Sequence, residues 1–170
     1  MAFVDTQDLL WTELAAIVQD EGLSVYDIER AQRGGLRVFI TKNQSPETDG
    51  ENNASTESGV TSGDCSRVCR RLMDFATVSG SKYGLSPEAE IEVSSPGVNR
   101  TLRLQTHFSE AQGKRIRVVY AASENQPAGA ALGMLERVTD RLIIVASEPQ
   151  GQSIEIPFIA VKRANVEHKF

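Results

Sequence analysis

Ile91-Glu92-Val93-Ser94-Ser95-Pro96-Gly97-Val98-Asn99-Arg100 divides the chain into two unlike halves. Ile91 and Val93 alternate with Glu90 and Glu92, which is the period of a half-buried strand. That strand runs into Ser94-Ser95-Pro96-Gly97. Proline fixes φ and glycine reaches the left-handed region, so the spacing predicts a type II turn. Charge changes sign across the same point. Residues 1–98 hold 8 Lys/Arg and 16 Asp/Glu, and residues 99–170 hold 10 and 7. The net charge of −5 therefore conceals a half at −8 joined to a half at +3. This asymmetry predicts two domains with different partners, 1–98 and 99–170.

Upstream of the turn, Leu9, Leu10, Leu14, Ile17 and Val18 recur at helical spacing and predict a helix from Asp5 to Glu21. Asp5 or Thr6 would cap its free amides, and Gly22 would stop it. Ser24–Arg30 and Leu36–Lys42 alternate like strands, and Arg33-Gly34-Gly35 between them signals a hairpin. Residues 43–58 (NQSPETDGENNASTES) lack large apolar side chains and read as a mobile, exposed loop. A second helix is expected over Ser62–Val78, opened by a capping box of Thr61 and Asp64. Its apolar stripe is Cys65, Val68, Cys69, Leu72 and Ala76, with Arg67, Arg70 and Arg71 off it. A third strand, Ala89–Ser94, comes after Pro87. The order helix, strand, strand, helix, strand predicts a small α/β unit. It has about three strands, an antiparallel hairpin, a parallel neighbour reached through the second helix, and both helices on one face.

Downstream, short strand-like runs crowd together: Arg115–Ala121, Ala131–Val138, Arg141–Ala146, Ser153–Ile156 and Val161–Val166. Asn125-Gln126-Pro127, Thr139-Asp140 and Pro149-Gln150-Gly151 separate them, and only Thr106–Gln112 has helical character. Many short strands at regular spacing predict a small closed barrel.

Several function classes find no support in these residues. Cys65 and Cys69 are too few for a secreted disulfide framework, and their four-residue offset on a helix suits neither a redox pair nor an internal disulfide. With His107 and His168 as the only histidines, both distant in sequence, no metal site is expected; the cysteines read as small core residues. Glu90 and Glu92 share a strand face but read as the solvated side of a half-exposed strand. The chain has no G-x-S-x-G, no H-E-x-x-H and no Walker glycine loop. Neither catalysis nor a cofactor is expected. No apolar run approaches the ~20 residues of a membrane span, and the opening residues do not resemble a signal peptide, so a cytoplasmic location is expected.

The remaining feature is the turn together with the cations on its C-terminal side. Arg100, Arg103, Lys114, Arg115 and Arg117 come soon after Ser94, Ser95, Pro96 and Gly97. Turn amides and hydroxyls with arginines beside them can hold phosphate oxygens. The same residues could equally fix the angle between two domains.

The run Glu92–Arg103, EVSSPGVNRTLR, resembles the signature of the RimP ribosome-maturation family, in which a strand enters an S-S-P-G turn followed by an arginine. Gly59-Val60-Thr61 with Asp64-Cys65 is similar to that family's helix start. Thr106-His107-Phe108 with Gly113-Lys114 is similar to its H-F…G-K segment, and Ile156-Pro157 with Ile159–Ala164 to its closing strand region. The match is collinear over nearly the whole chain. Asn99 departs from the usual Asp, Thr101 from the usual Pro, and the 43–58 loop is long.

The resemblance implies an α+β protein of two domains, an N-terminal α/β domain and a C-terminal SH3-like, Sm-like barrel. It implies a non-catalytic factor that binds the free 30S subunit in late assembly, touching 16S rRNA and a ribosomal protein near the decoding centre. The charge split adds an expectation of its own: the acidic half docks a basic ribosomal protein and the basic half meets RNA phosphate. Ser94, Ser95, Pro96, Gly97 and Arg100 form the family-defining element, with Arg103, Lys114, Arg115 and Arg117 as phosphate contacts. A monomer without membrane association is expected. The competing readings are a ring-forming RNA regulator and an enzyme that uses the cysteines.

Overall fold

The computed structural model describes residues 2–43 and 59–168. They fall into two compact units, Met1–Pro96 and Gly97–Phe170. Apart from Asn43, the expected 43–58 loop lies outside the described residues.

The first unit runs β1 (Ala2–Phe3), α1 (Leu9–Asp20), β2 (Leu23–Arg30), β3 (Leu36–Lys42), α2 (Ser62–Ser79) and β4 (Ile91–Ser94). Its sheet has four strands in the order β1-β2-β3-β4, one more than expected. The extra strand pairs Ala2 with Arg30 and Phe3 with Glu29, and two residues are too few to show a period. β2 and β3 are antiparallel, whereas β3 and β4 are parallel, with Leu36 opposite Ile91 and Phe39 opposite Ser94. The helix expected to start at Asp5 starts at Leu9. Two aspartates compete to cap it: Asp5 accepts from the Gln7 amide, while Asp8 accepts from Leu10 at 2.9 Å and wins the cap position. The capping box of α2 forms as expected, Thr61 accepting from the Asp64 amide and Asp64 from the Thr61 amide.

The hairpin loop needs its two glycines for different reasons. Gly34 has φ of 72°, beside Arg33 at 56°. Gly35 lies so close to β4's approach that a Cβ there would meet the Glu90 carbonyl at 2.6 Å. Leu36 then takes that carbonyl as its hydrogen-bond acceptor. Leu10, Leu14 and Val18 of α1 and Val68, Leu72 and Ala76 of α2 share one core with Ile28, Leu36, Val38 and Ile40 of the sheet. Each large side chain among them contributes about 1.5–3 kcal/mol of transfer free energy. The buried stripe of α2 is narrower than the sequence suggested. Cys65 and Cys69 sit half-buried at its margin, Cys69 Sγ donating to the Ile91 carbonyl and burial pushing the Cys65 thiol up.

The second unit runs α3 (Gln105–Glu110), β5 (Arg115–Tyr120), β6 (Gly129–Val138), β7 (Leu142–Ser147), β8 (Gln152–Pro157) and β9 (Val161–Val166). All neighbours are antiparallel, in the order β8-β7-β6-β5-β9. Among the described residues β8 and β9 share no ladder, so the expected closed barrel is an open five-stranded sheet. Alternation reports which side of a strand is buried; closure depends on stagger between strands, which alternation does not carry. Ile116, Val118, Leu135, Ile143, Val145, Ile156, Ala164 and Val166 fill the core with Phe108 of α3. At Gly133 the β7 backbone comes so close that a Cβ would lie 1.8 Å from the Ala146 carbonyl oxygen.

Candidate functional site

The S-S-P-G element divides between the two units. Ser94 ends β4 half-buried, Ser95 is exposed, and Pro96 closes the first unit. Gly97 opens the second with φ of 74°, and no atom stands within 4 Å of where its Cβ would be. The left-handed backbone, not crowding, is the reason for glycine there.

From Gly97 the chain is tied to β9. Arg100 Nε donates to the Gly97 carbonyl at 3.2 Å, and the Arg100 carbonyl accepts from the Val166 amide. Thr101 bridges to Asn165, and the Leu102 amide donates to Ala164. The amides of Arg103 and Leu104 both donate to Nδ1 of His107, each at 3.2 Å. His107 is 4 % exposed and sits in the first turn of α3, so a buried imidazole fixes the backbone of Arg103. Lys114 is exposed at the entrance to β5.

Arg115 and Arg117 are engaged within the protein. Arg115 reaches Glu148 with Nε and Nη2, at 3.0–3.1 Å, and Glu167 with Nη1 at 3.4 Å. Arg117 Nε donates to Glu167 at 2.6 Å. The hydrogen bond that Arg115 donates to Glu148 raises the pKa of its guanidinium. Two carboxylates thus offset two of the cations that sequence reasoning assigned to phosphate, and a phosphate there would have to displace a forked carboxylate. The structure brings Arg115 and Arg117 together through Glu167, while Arg100 and Arg103 lie on the segment leading into the unit.

Sequence reasoning missed a cleft of about 350 Å³ in the second unit. Arg103, Gln105, Phe108, Asp140, Phe158, Lys162 and Arg163 are among its lining residues. The available signal was Lys162-Arg163, two consecutive cations on a strand whose neighbours alternate. In the first unit a second cleft, about 430 Å³, is lined by Glu29, Glu88 and Glu90 with Arg33 and Arg37. Arg37 pairs there with Glu29 and Glu92. Among the described residues no cluster of three His, Cys, Asp or Glu is placed to hold a metal ion, and no helix is long and apolar enough to cross a membrane.

No protein-family model matches the chain. Curated relatives do. A protein of Albidiferax ferrireducens named Ribosome maturation factor RimP is 36 % identical over 118 residues, 69 % of this chain and 52 % of the relative. Proteins of the same name from Acidovorax sp. strain JS42 and Acidovorax ebreus are each 35 % identical over 113 residues, 66 % of this chain and 53 % of theirs. Over about two-thirds of its length, the chain is similar to these proteins named Ribosome maturation factor RimP. It spans about half the length of the curated relatives it matches. These relatives carry the name of the family that Glu92–Arg103 resembles. Asn99, which replaces the usual RimP Asp, accepts from the His168 amide through Oδ1 at 3.4 Å, a bond that a carboxylate oxygen could also accept.

Proposed function

We propose that this chain is a non-catalytic ribosome maturation factor that binds the free 30S subunit and assists its late assembly. The observation that carries this reading is 36 % identity over 118 residues to a protein named Ribosome maturation factor RimP. Residues 1–98 and 99–170 act as two domains. The acidic first domain docks a basic ribosomal protein, and the exposed Glu88 and Glu90, at the cleft they share with Arg33 and Arg37, support that role. The second domain meets 16S rRNA near the decoding centre. Its strand order, in which β9 returns to pair with β5, supports an SH3-like barrel plan. The factor acts as a cytoplasmic monomer. Lys and Arg contacts to phosphate make its affinity fall with salt, and folded ribosomal RNA is recognised largely by shape. No bond is made or broken.

Sucrose gradients of cells lacking the protein test this reading. The expected profile shows depleted 70S particles and accumulated immature small subunits. A normal profile, together with purified protein that fails to co-sediment with 30S subunits, overturns it.

A further inference from the structure

We propose that the cleft between Phe158 and the Lys162-Arg163 pair is a binding site for one unpaired nucleotide of a single-stranded RNA segment. The inference rests on the ribosomal reading for its biological setting, but the contacts that support it are independent of that reading.

β9 is irregular where it meets β5. Val119 of β5 lies opposite Arg163, and the next residue, Tyr120, lies opposite Val161. Lys162 is therefore the extra residue of a β-bulge. In a regular strand Lys162 and Arg163 would point to opposite faces; a bulge re-aims side chains, and here both line one cleft. Both are exposed, and neither has an ion-pair partner among the described residues. This distinguishes them from Arg115 and Arg117, whose charge already meets carboxylates.

The cleft also offers an aromatic wall. Phe158 is half-buried and forms a T-shaped pair with Phe108, with centroids 5.2 Å apart and planes at 73°. Phe108 is 1 % exposed, so it anchors the Phe158 ring. A rigid, partly open aromatic ring beside free cations is the arrangement that stacks a base while holding its phosphate. Asp140, the cleft's one carboxylate among the described residues, takes a hydrogen bond from Gln105 Nε2, which also donates to the Thr139 carbonyl. Asp140 repels phosphate and accepts from a base amino group, so the ligand that satisfies the whole lining carries both an anion and an N–H edge. At about 350 Å³ the cleft is within the range of ordinary small-ligand sites, about 300–1,000 Å³. Duplex RNA does not fit this description, because its bases are stacked and paired.

The test uses the full chain and a fluorescein-labelled ten-nucleotide adenine RNA, followed by anisotropy over a salt series. Lys162→Ala with Arg163→Ala is expected to bind at least tenfold more weakly and to lower the salt slope by about 1.4, two phosphate contacts on a single strand. The charge-keeping pair Lys162→Arg with Arg163→Lys should bind within about twofold of the original. Phe158→Leu should lose at least fivefold against single-stranded RNA while leaving the salt slope unchanged. Duplex RNA should compete poorly. The proposal is overturned if the alanine pair binds the single strand as the original chain does at every salt concentration, or if polyglutamate competes as well as the RNA. Co-sedimentation with 30S subunits is measured in parallel and tests only the ribosomal reading, so either idea can fail while the other stands.

Discussion

Arg67 and Arg71 of the first unit and Lys162 and Arg163 of the second make opposite use of the same charge. Arg67 pairs with Asp64 and Glu21, and Arg71 with Asp20 and Glu21, so the cations of α2 fasten the end of α1. Lys162 and Arg163 face a cleft with no carboxylate partner of their own among the described residues. Between these extremes, Arg115 and Arg117 belong to the basic half yet behave like α2's arginines. The difference teaches that net charge per half is a poor map of available charge. What decides availability is whether a fold brings a carboxylate across from another element.

The largest test of how the units differ concerns glycine. Gly35 in the first unit and Gly133 in the second each meet the backbone carbonyl of a neighbouring segment, but Gly133 is far tighter than Gly35. Gly133→Ala should cost ~3 kcal/mol or more, and Gly35→Ala about 1–3 kcal/mol, measured by urea unfolding. Equal costs would mean that the two sheets tolerate the same crowding. Next in size is the contrast between paired and unpaired cations. Arg115→Ala with Arg117→Ala should weaken RNA binding by less than about threefold, far short of the loss expected at Lys162 and Arg163. A loss as large as theirs in anisotropy would erase the distinction.

Smaller effects sharpen the first unit's side of the comparison. Thr61→Ala should cost about 1 kcal/mol by removing the cap of α2. Its partner Asp64 gives this contribution a pH signature. The backbone and side-chain hydrogen bonds from Thr61 hold its carboxyl down at about 2, against an ordinary 3.8. A lowered folded-state pKa stabilises above the unfolded value and is lost as pH falls through the folded one. The stability difference between the original chain and Asp64→Asn should therefore be constant above about pH 4 and fade between pH 4 and 2, followed by circular dichroism. Arg71→Ala should give the smallest shift of melting temperature, shrinking further in added salt because its pair with Asp20 is exposed.

Local patterns carried much of the fold. The alternation of Leu36, Val38 and Ile40 placed β3 at its observed limits, and Thr61 with Asp64 placed the start of α2. The same local logic misplaced the start of α1, because Asp5, Thr6 and Asp8 all offer a cap within four residues and Asp8 is the one that caps it. β1 was invisible because its two residues show no period. The candidate site was harder to read. Arg115 and Arg117 looked free because their carboxylates come from 33 to 52 residues further along the chain. Lys162 and Arg163 escaped notice because a strand's alternation hides a bulge, which exists only in the register with a neighbour.

The imidazole of His107 is, in effect, a surrogate carbonyl. Two successive amides converge on a single ring nitrogen in the interior, so the proton of the neutral ring must reside on Nε2. A lone pair committed in this way is closed to electrophiles and cations alike. Of the chain's two histidines, His168 alone stays solvent-facing, and acylating reagents should mark it first.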